Sequence, residues 1–204
     1  MFFLKYYYLP PLHLVEEGVF IHHFLILMAN NLYTYISLLK GINVGGNKKI
    51  LMADLKQLYE TCGCVAVQTY IQSGNVVLQS NLSAQDVSAA VSRAIELRYG
   101  FEVAVLCLTH SELEQIIQNN PFAPDFVNTY FTILFAPTQH ATRLIADAYL
   151  PDRFHLTDQV VYVYCPNGGY GNTKLSNAFL EKQLKVTATT RNYATLVKLL
   201  EMGR

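Results

Sequence analysis

The stretch that decides the fold is L-Y-T-Y-I-S-L-L-K-G-I-N-V-G-G-N, from Leu32 to Asn47. Its first eight residues, rich in β-branched and aromatic side chains, predict a strand that stops at Lys40-Gly41. The glycine-rich loop that follows leads to apolar residues at helical spacing between Met52 and Cys62, and Gly63 is placed to end that helix. The chain therefore begins its folded part with a strand, a glycine loop and a helix.

The next segments continue the alternation. They predict two strands joined by a tight turn, a helix that starts at a capping Ser83, and a further strand: Val65 to Ile71, Asn75 to Gln79, the helix to Tyr99, and Val103 to Leu108. A short helix capped by Thr109 follows. From Leu32 the order is β-α-β-β-α-β, which is the split-βαβ or ferredoxin-like order.

A second half is predicted after the segment P-F-A-P-D, residues Pro121 to Asp125, which is the strong linker signal of the interior. We therefore place the first α+β half at residues 30–120 and the second, with a C-terminal helix, at residues 126–204. The second half is predicted to contain a strand, a helix and a hairpin: Tyr130 to Phe135, Thr138 to Leu150, and Phe154 to Leu156 with Val160 to Tyr164. The predicted fold class is α+β, with two ferredoxin-like halves packed together.

The first 29 residues differ from the rest, since they are aromatic and apolar and are interrupted by Pro10, Pro11, Glu16 and Glu17. They read neither as a membrane-spanning helix nor as a cleavable signal peptide. We interpret residues 1–29 as a non-domain extension, with a translation start placed too early and Met28 as the true initiator. The alternative is a membrane-surface anchor, and peptides from residues 6–27 in the native protein would exclude the early-start interpretation.

Composition narrows the function classes. Fifteen basic residues balance fifteen acidic ones, so the net charge favours neither a nucleic-acid partner nor an acidic membrane surface, and no nucleic-acid partner is expected. The four cysteines have no metal-binding spacing and predict reduced thiols in a cytoplasmic protein. The histidines are scattered, and no motif predicts a cofactor, a metal or a nucleophile-base set.

One candidate site is the loop Gly168-Gly169-Tyr170-Gly171, which is predicted to lie between a strand and a helix capped by Asn172 or Thr173. Free N–H groups at such a helix start suit a phosphate or a carboxylate, and Lys174 adds a mobile positive charge. The spacing matches neither a Walker A loop nor a G-x-G-x-x-G fingerprint. The alternative is that these glycines serve only a tight turn.

Arg191 is predicted at the start of the last helix, which runs from Asn192 or Tyr193 to Met202. A cation there is on the unfavourable side of the helix dipole, at a cost of about 0.3–1 kcal/mol, so an anionic partner is expected. That partner is either a ligand, held together with Thr189 and Thr190, or a structural carboxylate of the same chain.

The loop from Lys40 to Lys49 is a second basic, glycine-rich connection, and it is predicted either to form the opposite wall of one groove or to be a solvated loop. The candidate ligand-binding residues are therefore Lys40, Asn43, Gly45, Gly46, Gly169, Gly171, Lys174, Thr190, Arg191 and Asn192. No catalytic residue is predicted.

Four segments together resemble the bacterial family called domain of unknown function 1697: Leu39 to Gly46, Thr69 to Val77, Tyr170 to Asn177 and Ala188 to Asn192. The resemblance covers residues 32–202 and implies a paired ferredoxin-like α+β architecture, without a reaction, a cofactor or a catalytic residue. The family usually has tryptophan after its T-R-N motif, where this chain has Tyr193. Tyrosine is expected to keep the packing role.

Two functions are left open by the sequence. The first is binding of a small anion, with or without a reaction. The second is a non-catalytic interaction or self-association, in which Lys174, Arg191 and the glycine loops are structural.

Overall fold

The computed structural model describes residues 32–204. The predicted extension at residues 1–29, its initiator Met28 and the alternative membrane-surface anchor fall outside the described residues. Within residues 32–204, no helix is both long and apolar enough to cross a membrane.

The first half forms a four-stranded antiparallel sheet with the strand order β2-β3-β1-β4. In chain order its elements are β1 (Tyr33–Leu39), α1 (Met52–Thr61), β2 (Val65–Tyr70), β3 (Asn75–Ser80), α2 (Ala84–Tyr99), β4 (Val105–Thr109) and α3 (His110–Gln118). The central strand is β1, and its Ile36 pairs with Val77 of β3 and with Leu108 of β4.

The helix boundaries of this half follow the local signals in the sequence. Ser83 accepts a hydrogen bond from the backbone N–H of Asp86 at 3.1 Å, and Gly100 ends α2 in the left-handed conformation at φ 72°. At the start of α3, Thr109 and Glu112 form a capping box in which the Thr109 N–H donates to Glu112 Oε2 at 2.7 Å. Both predicted helix starts are confirmed.

The second half forms another four-stranded antiparallel sheet, with the order β6-β7-β5-β8. Its elements are β5 (Thr129–Leu134), β6 (Arg153–Leu156), β7 (Val160–Tyr164), α4 (Asn177–Leu184), β8 (Ala188–Asn192) and α5 (Tyr193–Met202). The predicted hairpin β6-β7 and the C-terminal helix are confirmed.

The predicted helix from Thr138 to Leu150 is wrong. That segment contains two short 3-10 turns, Ala141–Arg143 and Ala146–Tyr149. Leu144 and Ile145 between them have extended backbones, with ψ angles of 120° and 115°, so a continuous series of α-helical hydrogen bonds cannot form.

Two predictions at the C-terminal site also need correction. The helix after the second glycine loop is capped by Ser176, not by Asn172 or Thr173, because Tyr170–Asn172 forms a separate 3-10 turn. Arg191 lies in β8, one residue before the Asn192 that caps α5, so it is a strand residue and not the first residue of the helix.

Three apolar clusters hold the layers together. The first packs sheet one against α1 and α2, and the third packs sheet two against α4. The second lies between the halves: Ile36 and Val77 of the first sheet pack with Phe131 of the second and with Leu113 of α3 and Leu196 of α5. The two halves therefore share a buried core.

The predicted α+β class with two similar halves is confirmed by these two antiparallel sheets and their five α-helices within residues 32–204. The finer name, ferredoxin-like, stays a prediction. In the second half, 3-10 turns stand where the first half has α1 between its first two strands.

Candidate functional site

Arg191 crosses from the second half of the molecule to the first. It is 8% exposed, and its Nε donates to Asn75 Oδ1 at 2.6 Å. Its Nη2 donates to the carbonyl oxygens of Leu39 and Ser73, both at 2.9 Å. We call the group formed by Leu39, residues 73–75 and Arg191 the seam.

Every N–H group of the Arg191 guanidinium has an acceptor. A guanidinium carries five N–H donors, and the two on Nη1 donate to Thr189 Oγ1 at 2.7 Å and to the Thr190 carbonyl at 2.9 Å. Burial lowers the pKa of Arg191 to about 10, so the side chain is still charged at neutral pH. All its partners within residues 32–204 are neutral oxygens, and none of them is a carboxylate.

Thr190 and Asn192, the two neighbours of Arg191 in the candidate site, also have partners in the chain. Thr190 Oγ1 donates to Asn177 Oδ1 at 2.9 Å and lies 2.8 Å from the Thr132 hydroxyl and 3.0 Å from the Tyr170 hydroxyl. Asn192 Oδ1 accepts the Thr195 N–H at 2.9 Å and so caps α5.

Lys40 makes a second polar link between the halves. Its ammonium lies 2.7 Å from Glu181 Oε1 on α4, and the same oxygen accepts the Ala188 N–H at 2.8 Å. Lys40 and Arg191 are therefore both brought to the contact between the halves, and both bind groups of the chain itself.

The C-terminal glycine loop reaches the hydrogen-bond network around Arg191 through Tyr170, but its exposed residues take no part in that network. Gly169 has a φ of 69°, a conformation that favours glycine, and a Cβ there would lie 3.3 Å from the Tyr130 hydroxyl. Gly171 belongs to a 3-10 turn. Lys174 is exposed and makes no hydrogen bond or ion pair with any residue between 32 and 204.

The first glycine loop is organised by the side chain of Asn43. Its Nδ2 donates to the Ile50 carbonyl at 2.9 Å and to the Gln72 carbonyl at 3.0 Å, and its Oδ1 accepts the Ile50 N–H at 2.9 Å. Gly45 and Gly46 both have positive φ angles, 59° and 80°, and the space around each would accept a Cβ. Asn43 thus fixes the loop to the turn between β2 and β3.

An open pocket of about 400 Å³ lies between this loop, the start of α1 and the end of α2. Its lining residues are Asn43, Gly46, Lys49, Ile50, Leu51, Met52, Asp54, Gln72 and Tyr99. Two of the predicted site residues, Asn43 and Gly46, are therefore in this pocket. The structure does not place the C-terminal residues of the prediction in its lining.

Polar groups of this pocket lack partners. The N-cap residue of α1 is Leu51, which is 73% exposed and supplies no side-chain hydrogen bond to the first turn. The Tyr99 hydroxyl is buried and has no hydrogen-bond partner within the described part of the chain. Burial is the main cause that raises the pKa of Tyr99, so the hydroxyl keeps its proton at neutral pH.

Lys49 and Asp54 bring opposite charges to the pocket. The Asp54 carboxylate is 3.5 Å from Arg98 Nη2, whereas Lys49 has no ion-pair partner among residues 32–204. Leu51, Gln72 and Tyr99 line the pocket, and none of them was among the residues predicted for the site. Leu51 carried a usable signal, because leucine is a poor N-cap.

Metal and thiol chemistry have no support from the described residues. No group of three His, Cys, Asp or Glu side chains between residues 32 and 204 is placed to hold a metal ion. The four cysteines are free. Burial raises the pKa of Cys64 to about 11, which keeps that thiol protonated and a weak nucleophile at neutral pH.

Comparison with known proteins identifies a family and shows similarity to a solved structure. The model of a family described as "Protein of unknown function (DUF1697)" matches residues 32–162, more than half of the 204-residue chain. The two C-terminal motifs, at residues 170–177 and 188–192, lie beyond that match. No curated protein matches the chain.

The solved structure of a conserved bacterial protein, SP0830 from Streptococcus pneumoniae, is similar to this chain with a TM-score of 0.67. The two sequences are 22% identical, and the similarity covers 85% of this chain and 100% of the other. At this identity the likeness supports the fold alone.

Proposed function

We propose, for a chain that belongs to the DUF1697 family of proteins of unknown function, that it binds a small anionic molecule in the pocket of the first glycine loop. The ligand class is a phosphate, a nucleotide or a carboxylate. The proposal includes no reaction and no catalytic residue. A cytoplasmic location goes with it, since free thiols suit that reducing compartment.

The proposal is supported by one observation, which is that several polar groups without hydrogen-bond partners surround the same pocket. An uncapped helix start, the Lys49 ammonium and the partnerless Tyr99 hydroxyl all belong to the lining of the same pocket. The N–H groups of the helix start and the Lys49 ammonium donate hydrogen bonds that an oxyanion accepts, and the Tyr99 hydroxyl lies buried beside them. The Asp54 carboxylate opposes an anion less than its formal charge suggests, because Arg98 lies beside it.

The predicted ligand residues divide into two groups. Asn43 and Gly46 line the pocket, and we propose that they contact the ligand. Lys40, Thr190, Arg191 and Asn192 are engaged inside the chain, which supports a structural part for them. Binding of an anion by Gly45, Gly169, Gly171 and Lys174 stays a prediction.

A pair of substitutions at Leu51 tests the proposal. In Leu51→Asp the new carboxylate accepts the first N–H groups of α1, which should raise the free energy of unfolding by about 1 kcal/mol and remove the groups needed by the ligand. Leu51→Ala changes the same exposed position without supplying an acceptor. The measurement is the melting temperature with and without inorganic phosphate, AMP and citrate.

We expect a ligand-induced rise in melting temperature for the wild type and for Leu51→Ala, and none for Leu51→Asp. A ligand at 100 times its dissociation constant stabilises a protein by about 2.7 kcal/mol, which this assay detects. An equal shift in all three proteins would place the ligand elsewhere. No shift in any of them would reject the proposal for these probes.

The second candidate is a non-catalytic interaction or self-associating protein. It is favoured by the complete use of Arg191 within the chain, because a cation without free donors is structural. Sedimentation of the full chain over a hundredfold range of concentration tests self-association. A mass that rises with concentration, together with no ligand shift, would favour this candidate over anion binding.

A further inference from the structure

We infer that Arg191 is a positioning residue for the pocket of the first glycine loop, and that it acts through the turn at residues 71–74. This inference rests on the proposed function. It assigns to the second half of the chain control over a binding site whose lining belongs entirely to the first half.

The first step is the contact of Arg191 with the turn. Nη2 of Arg191 donates to the carbonyl of Ser73 at 2.9 Å and approaches that of Gly74 at 3.4 Å. Its Nε holds Asn75 Oδ1, and Asn75 Nδ2 in turn donates to the Tyr70 carbonyl at 3.1 Å and to Ser73 Oγ at 2.9 Å. Arg191 and Asn75 therefore fix both ends of the turn from its buried side.

The second step leads from the turn to the pocket. Gln72, inside the turn, lines the pocket and accepts Asn43 Nδ2 at 3.0 Å through its carbonyl. Asn43 holds both the N–H and the carbonyl of Ile50, which precedes the N-cap residue Leu51. A displacement of the turn is therefore passed to Asn43 and to the residues that lead into α1.

The turn needs to be held because its backbone is strained. Ile71 has a φ of 48°, in the left-handed region that a β-branched residue rarely enters, and such a residue costs about 1–3 kcal/mol. Ile71 is 51% exposed, so packing does little to offset that cost. Strain of this kind persists only when surrounding contacts impose it, and Arg191 supplies such contacts.

The space around Gly74 gives the turn little freedom. A Cβ on Gly74 would lie 2.7 Å from Leu39 Cβ, closer than two carbons can approach. The backbone of the turn is therefore packed directly on the end of β1, the strand whose terminal Leu39 carbonyl also accepts Arg191. The seam therefore fixes the positions of the turn and of the end of β1, the strand that precedes the first glycine loop.

Hydrogen exchange in the free protein tests the relay without any ligand. The reporter is the Ile50 amide, whose N–H is held by Asn43. Arg191→Lys keeps the charge but cannot reach acceptors on both sides of the seam with one ammonium. We expect its Ile50 amide to exchange about tenfold faster, as the loss of about 1.4 kcal/mol of local stability would give.

The matched control is Glu181→Gln, which weakens the other link between the halves and leaves the turn untouched. Glutamine loses the charge that pairs with Lys40 but keeps an acceptor for the Ala188 N–H. We expect the Ile50 exchange rate to change less than about twofold. Equal acceleration in both variants would mean that loosening the halves in general affects the loop, and it would overturn the relay.

A second background tests whether the turn connects Arg191 to the loop. Ile71→Asn relieves strain, because asparagine enters the left-handed region more readily. In this background Arg191→Lys should accelerate the Ile50 exchange by clearly less than in the wild type. An undiminished effect would show that the turn does not connect the two residues.

Binding of inorganic phosphate separates the relay from the proposed function. If the wild type binds phosphate, Arg191→Lys should weaken the affinity about tenfold and Glu181→Gln should leave it unchanged. If the wild type does not bind, the proposed site fails for this probe, while the exchange rates still decide whether Arg191 positions the loop. An unchanged Ile50 rate in Arg191→Lys would overturn the inference.

Discussion

The seam and the pocket are two basic, glycine-bearing regions with opposite use of their polar groups. At the seam, each N–H of Arg191 meets an oxygen of the chain. At the pocket, the first turn of α1 has no side-chain cap and the Tyr99 hydroxyl has no partner within residues 32–204. Positive charge beside glycine therefore does not identify a binding site, because the same composition serves to close one region and to leave the other open.

The largest expected effect is at the seam. Arg191→Met retains the length of the apolar stem but removes all five donors, which leaves the acceptors of two halves buried without partners. We expect the free energy of unfolding to fall by about 3–5 kcal/mol, because several buried acceptors lose their donor and each unsatisfied group costs about 1–3 kcal/mol. Urea denaturation measures it. A loss below about 1 kcal/mol would remove the contrast with the pocket.

The next effect concerns Gly74, which belongs to the seam through its backbone. Gly74→Ala forces a side chain into a left-handed conformation at φ 77° and against Leu39. We expect a loss of about 2–4 kcal/mol from strain and overpacking together. Gly45→Ala is the control, since its φ is also positive but its Cβ would meet no atom. Urea denaturation of both variants should show the larger loss for Gly74→Ala.

A pair of helix caps gives a smaller and symmetrical test. Asn192→Ala removes the side-chain cap of α5, and Leu51→Ser adds one to α1. We expect the first to lower and the second to raise the free energy of unfolding, each by about 1 kcal/mol. Thermal unfolding measures both changes. If Leu51→Ser does not raise the free energy of unfolding, the N–H groups at the start of α1 already have hydrogen-bond partners, and the pocket does not differ from the seam in this respect.

The smallest effect is expected at the second glycine loop. Lys174→Ala removes an exposed cation that has no ion-pair partner among residues 32–204. The free energy of unfolding should change by less than about 0.5 kcal/mol. A larger loss, measured by the same denaturation assay, would mean that Lys174 is part of a structural network like Arg191.

The sequence predicted those parts of the fold whose signals are local. The caps at Ser83 and Thr109 lie next to the helices they start, and their hydrogen bonds span three residues. The helix predicted at 138–150 rested on three apolar residues with no cap. Leu144 and Ile145 have extended backbones there, so the spacing of three apolar residues was too weak a signal to specify a helix.

The candidate site was predictable only in its loops. The partners of Arg191 in the first half could not be deduced, because Asn75 and Leu39 are 116 and 152 residues away along the chain. Tyr99 and Gln72 reach the pocket through packing of α2 and of a turn, and neither carries a motif. We expected an anionic partner for Arg191 because we placed it at a helix start. Arg191 lies instead in a strand, and it donates to backbone carbonyls at the contact between the halves.

The distance between Arg191 and its acceptors has a consequence for synthesis on the ribosome. Asn75 is made 116 residues before the side chain that completes its hydrogen bonds. At about 5–20 residues per second, the nascent first half waits on the order of ten seconds before its strained turn gains the contacts of Arg191. A ribosome-bound chain arrested before residue 191 should therefore expose that turn to protease, and the full chain should protect it.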